Sequence, residues 1–243
     1  MDSVAPLYVP PSAPAVSALE RELKFLVPAT RSASLRAWLS AVCTPERAYP
    51  PALVCTTYFD TPGLSMLGEK IDSDYLKMKV RLRWYASLEG NPAGSTVFAE
   101  VKYRIGGRRD KQRVRLATDA TTLSITPLHA TVWRALLARL RTHAPMVPAR
   151  LDPILSLRYV RYRYLDRTTG GRVTVDDDIR VTALNETRVT GHLPARLPIT
   201  VLEYKGGLDD LPRHLAPAIR FGARRGSCSK YLACYQLATG LAL

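Results

Sequence analysis

Alternation of charged and apolar residues with a period of two marks several segments of the chain. The clearest spans residues 77–84, where four cations alternate with four apolar residues, and the pattern recurs over residues 20–27, 98–105 and 202–205. Successive side chains of a strand point to opposite faces. The sequence therefore predicts a sheet with one apolar face and one face lined mainly by Lys and Arg. The cations of such a face repel one another unless an anion binds there.

Turn residues and changes of period divide the chain into elements. Strands are predicted at about residues 19–27, 53–60, 75–85, 96–105, 108–116, 154–166, 171–182 and 198–205. Helices are predicted at about residues 32–43, 127–142, 210–220 and 229–238. Residues 63–72 are a short irregular or helical piece, residues 183–197 are ambiguous, and Gly106-Gly107 signals a hairpin turn. About eight strands joined mostly by turns indicate an antiparallel, closed or nearly closed barrel.

Two arrangements fit a sheet with these two faces. In one, the apolar face packs on a core and the charged face is simply solvated, as in many antiparallel sheets. In the other, helices cover an apolar outside and the charges line a tunnel. A solvated face normally mixes both signs of charge with neutral polar residues, whereas this face is dominated by cations. We therefore predict an α+β fold built on an eight-stranded antiparallel β-barrel tunnel with a charged interior and helices packed outside.

Composition limits the partners and the setting. The 243 residues include 35 Lys and Arg against 21 Asp and Glu, a formal net charge of +14 that favours anionic partners. The four cysteines lack metal-binding spacing and are interpreted as reduced thiols in a cytoplasmic protein. No signal peptide is evident, and no apolar run is long enough to span a membrane. Residues 1–17 are interpreted as a flexible tail, and residues 18–243 as a single tunnel domain.

A set of short motifs follows in order along the chain: Glu20-x-Glu22-x-Lys24, Lys79-Val-Arg81-Leu-Arg83, Glu100-Val-Lys102, Tyr159-x-Arg161, Arg172-Val-Thr-Val-Asp176, Glu203-Tyr-Lys205 and Ser229-Lys230-Tyr231. This ordered set resembles the triphosphate tunnel metalloenzyme (CYTH-like) superfamily. Within that superfamily it is most similar to the catalytic domain of the vacuolar transporter chaperone (VTC) complex, the polyphosphate polymerase family. One departure is Ser227, where the family pattern implies a basic residue three positions before Lys230. Arg224 or Arg225 is a candidate substitute.

The resemblance implies specific roles for the charged residues. The candidate catalytic residues are Lys24, Arg81, Arg83, Lys102, Arg161 and Lys230, and the candidate phosphate-binding residues are Lys79, Lys111, Arg113, Tyr159, Lys205 and Ser229. Glu203, with Glu20 or Glu22, is expected to hold Mn²⁺ or Mg²⁺, which prefer oxygen ligands. The implied reaction transfers the γ-phosphoryl group of ATP onto a growing inorganic polyphosphate chain.

Three other functions compete with this expectation. An inorganic or nucleoside triphosphatase on the same tunnel needs an activated water, and hence more inward carboxylates than the pattern supplies. A catalytically silent polyphosphate-binding module is a second alternative. Nucleic-acid binding fits the net charge, but base stacking needs aromatic residues on the basic face. Only Tyr159 clearly shares that face, so no nucleic-acid partner is expected. ATP and polyphosphate are the expected partners, with a possible membrane partner for product export.

Overall fold

Eight long strands form the body of the protein in a computed structural model that describes residues 21–72, 75–92, 96–105, 108–193 and 195–241. They are β1 (Arg21–Pro28), β3 (Ala52–Asp60), β4 (Leu76–Ala86), β5 (Val97–Ile105), β6 (Arg108–Leu116), β7 (Asp152–Asp166), β8 (Arg172–Leu184) and β10 (Ile199–Gly206). Three short strands flank them: β2 (Cys43–Pro45) beside β7, β9 (Ala195–Arg196) beside β8, and β11 (Arg224–Arg225) beside β1. All neighbours pair antiparallel, in the order β11-β1-β10-β8-β7-β3-β4-β5-β6. The eight predicted strands are confirmed.

Within these ranges, five α-helices connect or follow the strands: α1 (Ser32–Val42), α2 (Ser65–Ile71), α3 (Ala120–Ile125), α4 (Val132–His143) and α5 (Lys230–Thr239). The helix predicted from residue 127 begins only at Val132, and a separate helix, α3, precedes it. Asp119 caps α3 by accepting from the backbone N–H groups of Thr121 and Thr122. The segment predicted as a helix near 210–220 is a 3₁₀ helix, Arg213–Phe221, which accommodates Pro217. No helix in the described ranges is long and apolar enough to cross a membrane.

Two hydrophobic clusters cover the apolar face of the sheet. On β4 and β5 the outward residues include Val80, Leu82 and Val101, which pack against Trp133 and Leu137 of α4. On β1, β8 and β10 a second cluster packs against α1 and the 3₁₀ helix, with Phe25, Val175 and Leu202 among the strand residues. The predicted placement of helices on the apolar face is confirmed for α1, α3 and α4.

The helix α5 packs on the opposite face of the sheet. Its residues Tyr231 and Cys234 lie in a third cluster with Tyr58, Leu157 and Tyr159. Tyr58 and Tyr159 accept hydrogen bonds from Arg81 and Arg83, so this cluster shares the face that carries the charges. The prediction that all helices lie outside is therefore wrong for α5, which covers part of the charged face with its own apolar side.

The sheet curves so that its charged face is concave; we call this the inner face. Arg83 of β4 reaches over β3 to donate to the hydroxyl of Tyr159 on β7 at 3.2 Å. Glu22 of β1 is influenced electrostatically by Lys102 of β5, near the other edge of the sheet. Within the described ranges, no backbone pairing joins β6 to β1 or β11. The structure thus confirms the antiparallel α+β architecture as a strongly curved sheet, and the closure of the predicted eight-stranded barrel is not confirmed.

Candidate anion-binding site

A buried carboxylate organises the cations of β4, β5 and β6. Glu100 is fully buried, and the strand register places Arg81 and Arg113 directly beside it. Arg81 Nη2 donates to Glu100 Oε2 at 2.6 Å, and Arg113 Nε donates to Oε1 at 2.7 Å. Lys111 Nζ lies 2.8 Å from Oε1, and Arg83 Nη1 lies 4.0 Å from Oε2. We call these five residues the Glu100 cluster.

The Glu100 cluster carries a large excess of positive charge. Burial alone would raise the pKa of Glu100, but the surrounding cations, Arg81 first, lower it well below its usual range. The carboxylate is therefore ionised and compensates one of the four positive charges. Burial also lowers the pKa of Lys111 to about 8, although Glu100 opposes that effect. A bound anion would relieve the remaining repulsion, so the cluster is suited to binding a polyanion.

A row of three lysines crosses the same strands next to this cluster. Lys79, Lys102 and Lys111 occupy neighbouring register positions on β4, β5 and β6. The pKa of Lys102 is held well below its usual range, first by the charge of Arg81 and then by desolvation, although its side chain faces solvent. Lys79 Nζ donates to Ser229 Oγ at 3.0 Å, which connects this row to the start of α5.

A second buried carboxylate, Asp176, holds two cations on the other half of the inner face. Arg161 donates to both carboxylate oxygens of Asp176 at 2.6 Å, and Lys230 Nζ lies 2.6 Å from Oδ2. Asp176 raises the pKa of Lys230 above its usual range, against the effect of burial. Both cations also lie near the buried ring of Tyr159, with Lys230 Nζ 4.9 Å from its centroid. We call Asp176, Arg161 and Lys230 the Asp176 cluster.

The first turn of α5 places Lys230 in this cluster. Ser229 caps the helix by accepting from the backbone N–H of Leu232 at 3.4 Å. Tyr231 donates its hydroxyl to Asp60 at 3.0 Å and stacks on Tyr58, with ring centroids 4.9 Å apart. The N-terminal end of a helix carries partial positive charge, so this turn adds to the anion-attracting field.

Two carboxylates share one lysine on β1 and β10, and this third group is called the Lys24 cluster. Lys24 Nζ lies 3.1 Å from Glu22 and 3.5 Å from Glu203. Burial would raise the pKa of Glu22, but Lys24, Lys205 and Lys102 lower it to about 2. Glu22 is therefore ionised at neutral pH. The pair Glu22 and Glu203 offers hard oxygen ligands next to the cationic clusters.

The carboxylates fit a metal that is held mainly by its substrate. Mg²⁺ and similar ions are commonly bound by one or two carboxylates together with phosphate oxygens and water. Glu22 and Glu203 supply that number. No group of three or more His, Cys, Asp or Glu side chains in the described ranges could hold a metal by itself. Glu20, the third predicted ligand, lies outside the described residues, as does the predicted tail over residues 1–17.

The structure brings the predicted phosphate ligands together. Ser229 and Lys230 reach the inner face from the start of α5. The other predicted residues lie on the strands of that face: Lys24, Lys79, Arg81, Arg83, Lys102, Lys111, Arg113, Tyr159, Arg161 and Lys205. Arg225 does not replace the base missing at Ser227, because it pairs with Asp210 at the exposed edge of the sheet. Glu100 and Asp176 were not predicted as the anchors of the site. The signal that could have identified them is a carboxylate on the cationic face of a strand, with a cation two residues away or directly across the sheet.

Aromatic residues are more frequent on the inner face than predicted. Tyr58, Tyr85 and Phe98 accompany Tyr159 there. All four side chains are at least 90% buried, packed near α5 or beneath Arg113. They are therefore not available for base stacking, which single-stranded nucleic acids need.

Solved structures share the overall fold of this chain. The chain superposes on HpAC1 from Hippeastrum, an adenylyl cyclase candidate with a dominant triphosphatase activity, with a TM-score of 0.55 and 15% identity over 88% of this chain and 94% of that chain. An adenylate cyclase candidate from Bacillus halodurans gives a TM-score of 0.49 and 15% identity over 87% and 92%. This chain therefore shares the overall fold of HpAC1.

The family follows from the sequence profile. Residues 19–239 match the VTC domain, which is nearly the whole chain, so the protein belongs to the VTC domain family. Among curated proteins, none matches the chain significantly. Membership of this family supports a function related to polyphosphate or triphosphates.

Proposed function

We propose that this protein is a polyphosphate polymerase, an ATP:polyphosphate phosphotransferase of the polyphosphate kinase type. It transfers the γ-phosphoryl group of ATP onto a growing inorganic polyphosphate chain. The observation that carries the proposal is the Glu100 cluster, in which four cations share one buried carboxylate. The negative charge of a long polyanion compensates this excess of positive charge better than that of a single carboxylate or monophosphate does.

The geometry suits phosphoryl transfer by positioning and charge stabilisation. The transition state is loose, with negative charge spread over the equatorial oxygens of the transferred group. Arg81 and Arg83 present planar donors that bind phosphate in a bidentate manner, whereas Lys102 and Lys230 act as compact charges. The accepting phosphate oxygen is already ionised at neutral pH. A strong general base is therefore not needed, and the inner face offers cations instead.

A divalent metal, Mn²⁺ or Mg²⁺, completes the proposed site. Glu22 and Glu203 would hold it, together with phosphate oxygens of the substrate. When bound, it would neutralise charge on the phosphate oxygens. Lys24 lies between the two carboxylates and would remain beside their oxygens when the metal is bound. The proposed setting is cytoplasmic, with a membrane partner as the possible route for product export.

A triphosphatase is the second candidate. It is supported by the activity ascribed to HpAC1, whose fold this chain shares. Hydrolysis requires a water positioned by a carboxylate or a metal. The carboxylates of the inner face in the described ranges are largely engaged by cations: Glu100, Asp176, Glu22 and Glu203 all have a basic partner. That engagement favours transfer between phosphates over activation of water.

Product analysis distinguishes these functions. The purified protein is incubated with ATP and Mn²⁺, and the products are separated by length on a polyacrylamide gel. A ladder of polyphosphate establishes the polymerase. Free phosphate without a ladder establishes the triphosphatase and contradicts the proposal. Tight binding of polyphosphate without turnover would indicate a silent binding module.

A further inference from the structure

Arg163 is an inner-face arginine without a carboxylate partner in the described part of the chain. It lies two residues beyond Arg161 on β7, and the strand register places Thr174 beside it on β8. Glu203 lies next to Thr174 on β10, so this position borders the Lys24 cluster. Arg163 Nη1 and Thr174 Oγ1 are both buried, and neither has a hydrogen-bond partner among the residues that the structure describes.

The other arginines of the inner clusters have carboxylate partners. Arg81 and Arg113 bind Glu100, and Arg161 binds Asp176. Arg163 makes no ion pair with any residue in the described ranges; its guanidinium carbon lies 5.8 Å from the ring centroid of Tyr49. A buried donor without a partner costs free energy, so such atoms in a native protein usually mark a missing ligand or water. Two of them on adjacent strands form a pair of donors suited to an oxyanion.

Arg163 and Thr174 lie beyond the Asp176 cluster in the direction away from α5. Leu157 and Tyr159 pack against α5, Arg161 follows, and Arg163 lies farther from that helix. Two residues of a strand span about 7 Å. A ligand that fills the Glu100 and Asp176 clusters must therefore extend further along β7 to reach Arg163.

We propose that Arg163 and Thr174 form an additional subsite for a phosphoryl group of a long polyphosphate chain. This inference rests on the proposed function, because the ligand is the same class of polyanion. Arg163 donates from its guanidinium, and Thr174 from its hydroxyl, to oxygens of one phosphoryl group. The subsite binds only chains longer than those that the two clusters hold, so it favours long polyphosphate over tripolyphosphate.

The test compares binding of two probes, inorganic tripolyphosphate and size-fractionated long-chain polyphosphate, by titration calorimetry. Arg163→Gln and Thr174→Val should each weaken long-chain binding, by about tenfold for the arginine, and leave tripolyphosphate binding within about twofold. Arg158→Gln is the matched control, because Arg158 is an exposed arginine on the same strand. It removes the same charge and should change neither affinity.

The outcomes separate this subsite from the proposed function. Equal weakening of both probes by Arg163→Gln would show a general charge effect and overturn the subsite. If both variants bind long-chain polyphosphate as tightly as the wild type does, the subsite is overturned. In that case binding by the wild type would still support polyphosphate as the ligand of the protein. A wild-type protein that binds neither probe would overturn the polyphosphate ligand itself. Thermal melts of each variant show whether the fold is retained.

Discussion

The Glu100 cluster and the Lys24 cluster lie on the same inner face with opposite charge balance. In the Glu100 cluster four cations share one carboxylate, whereas in the Lys24 cluster two carboxylates share one lysine. Counted over the members of each cluster, the first therefore has an excess of positive charge and the second an excess of negative charge, which Lys205 and Lys102 offset from outside the cluster. The contrast indicates a division of roles within one concave surface. One part is suited to phosphate oxygens, and the neighbouring part to the cation that accompanies them.

Burial reinforces this difference. Glu100 is completely buried and has a pKa well below its usual range, so it acts as a permanent counter-charge that holds its arginines in place. Glu22 is also ionised, with a pKa of about 2, but its side chain retains about a fifth of its exposure. A carboxylate that solvent can reach can bind a metal ion in addition to its lysine partner. A fully enclosed one cannot do so without unfolding its surroundings.

The largest expected effect is on the cationic side of the comparison. Arg83→Ala should lower the phosphoryl-transfer rate by about 100-fold, because it removes a positioned charge from the transition state. Arg83 donates to Thr56 and Tyr159 and lies 4.0 Å from Glu100, so the fold should persist. Steady-state rates and a thermal melt measure both quantities. A variant that unfolds would instead assign Arg83 a structural role.

Arg81→Ala sharpens the same test. Arg81 donates two hydrogen bonds to the buried carboxylate, so its loss should reduce activity similarly and also lower stability. Arg113 and Lys111 still compensate Glu100, so the destabilisation should stop short of full unfolding. Equal melting temperatures for the two alanine variants would contradict the anchoring role given to Glu100.

The next largest effect is expected on the anionic side. Glu203→Gln should raise the Mn²⁺ concentration needed for half-maximal activity by about 10- to 100-fold, since it removes one of two proposed ligands. Asp178→Asn is the control: this carboxylate pairs with Arg180 and Arg196 away from the inner face. Metal titrations of activity give the comparison. If Glu203→Gln leaves the Mn²⁺ dependence unchanged, the metal role of the Lys24 cluster is wrong.

A smaller effect concerns pH. The pKa of Lys111 is lowered to about 8, so the side chain is charged below that pH and loses its charge as the pH rises through it. The affinity for tripolyphosphate should therefore fall by about fivefold between pH 7 and pH 9. Lys111→Arg retains the charge and should reduce this dependence. An affinity that rises with pH, or an unaltered profile in the variant, would exclude Lys111 from binding.

The smallest effect is expected where a hydrogen bond from Tyr231 positions α5. Tyr231→Phe removes the hydrogen bond to buried Asp60 and should lower the free energy of unfolding by about 1–3 kcal/mol. Anion affinity should change by less than about twofold, because the stacking on Tyr58 persists. Tyr235→Phe, which removes a hydroxyl without a described hydrogen bond, is the control. Denaturant titration and calorimetry separate the two quantities, and equal stability losses in both variants would refute the anchoring role.

Local pattern was sufficient to identify the strands and the set of cations. Alternation over residues 77–84 and 98–105 placed Arg81, Arg83 and Lys102 on one face, and the structure agrees. The partners of these cations were not predictable in the same way. Glu100 meets Arg113 only because β5 and β6 pair in one register, and Lys230 meets Asp176 across a separation of more than fifty residues.

The position of α5 also depended on tertiary packing. Its sequence indicates a helix, and Ser229 and Gly240 mark its ends, with Gly240 in the left-handed region at a φ of 70°. An apolar helix surface can pack on either side of a sheet. Here the inner face itself supplies an apolar partner at Tyr58, Leu157 and Tyr159, so the helix enters the concave side.

By itself, the sequence determined that a strand-rich fold presents one cationic face, because the two-residue period of a strand is a local property. It also determined which residue types gather there. Only the tertiary structure decided how these charges balance, because the curvature and register of the sheet bring Glu100, Asp176 and Glu203 to particular cations. Coulomb energies depend on distance and burial, and neither quantity can be read from the order of residues along the chain.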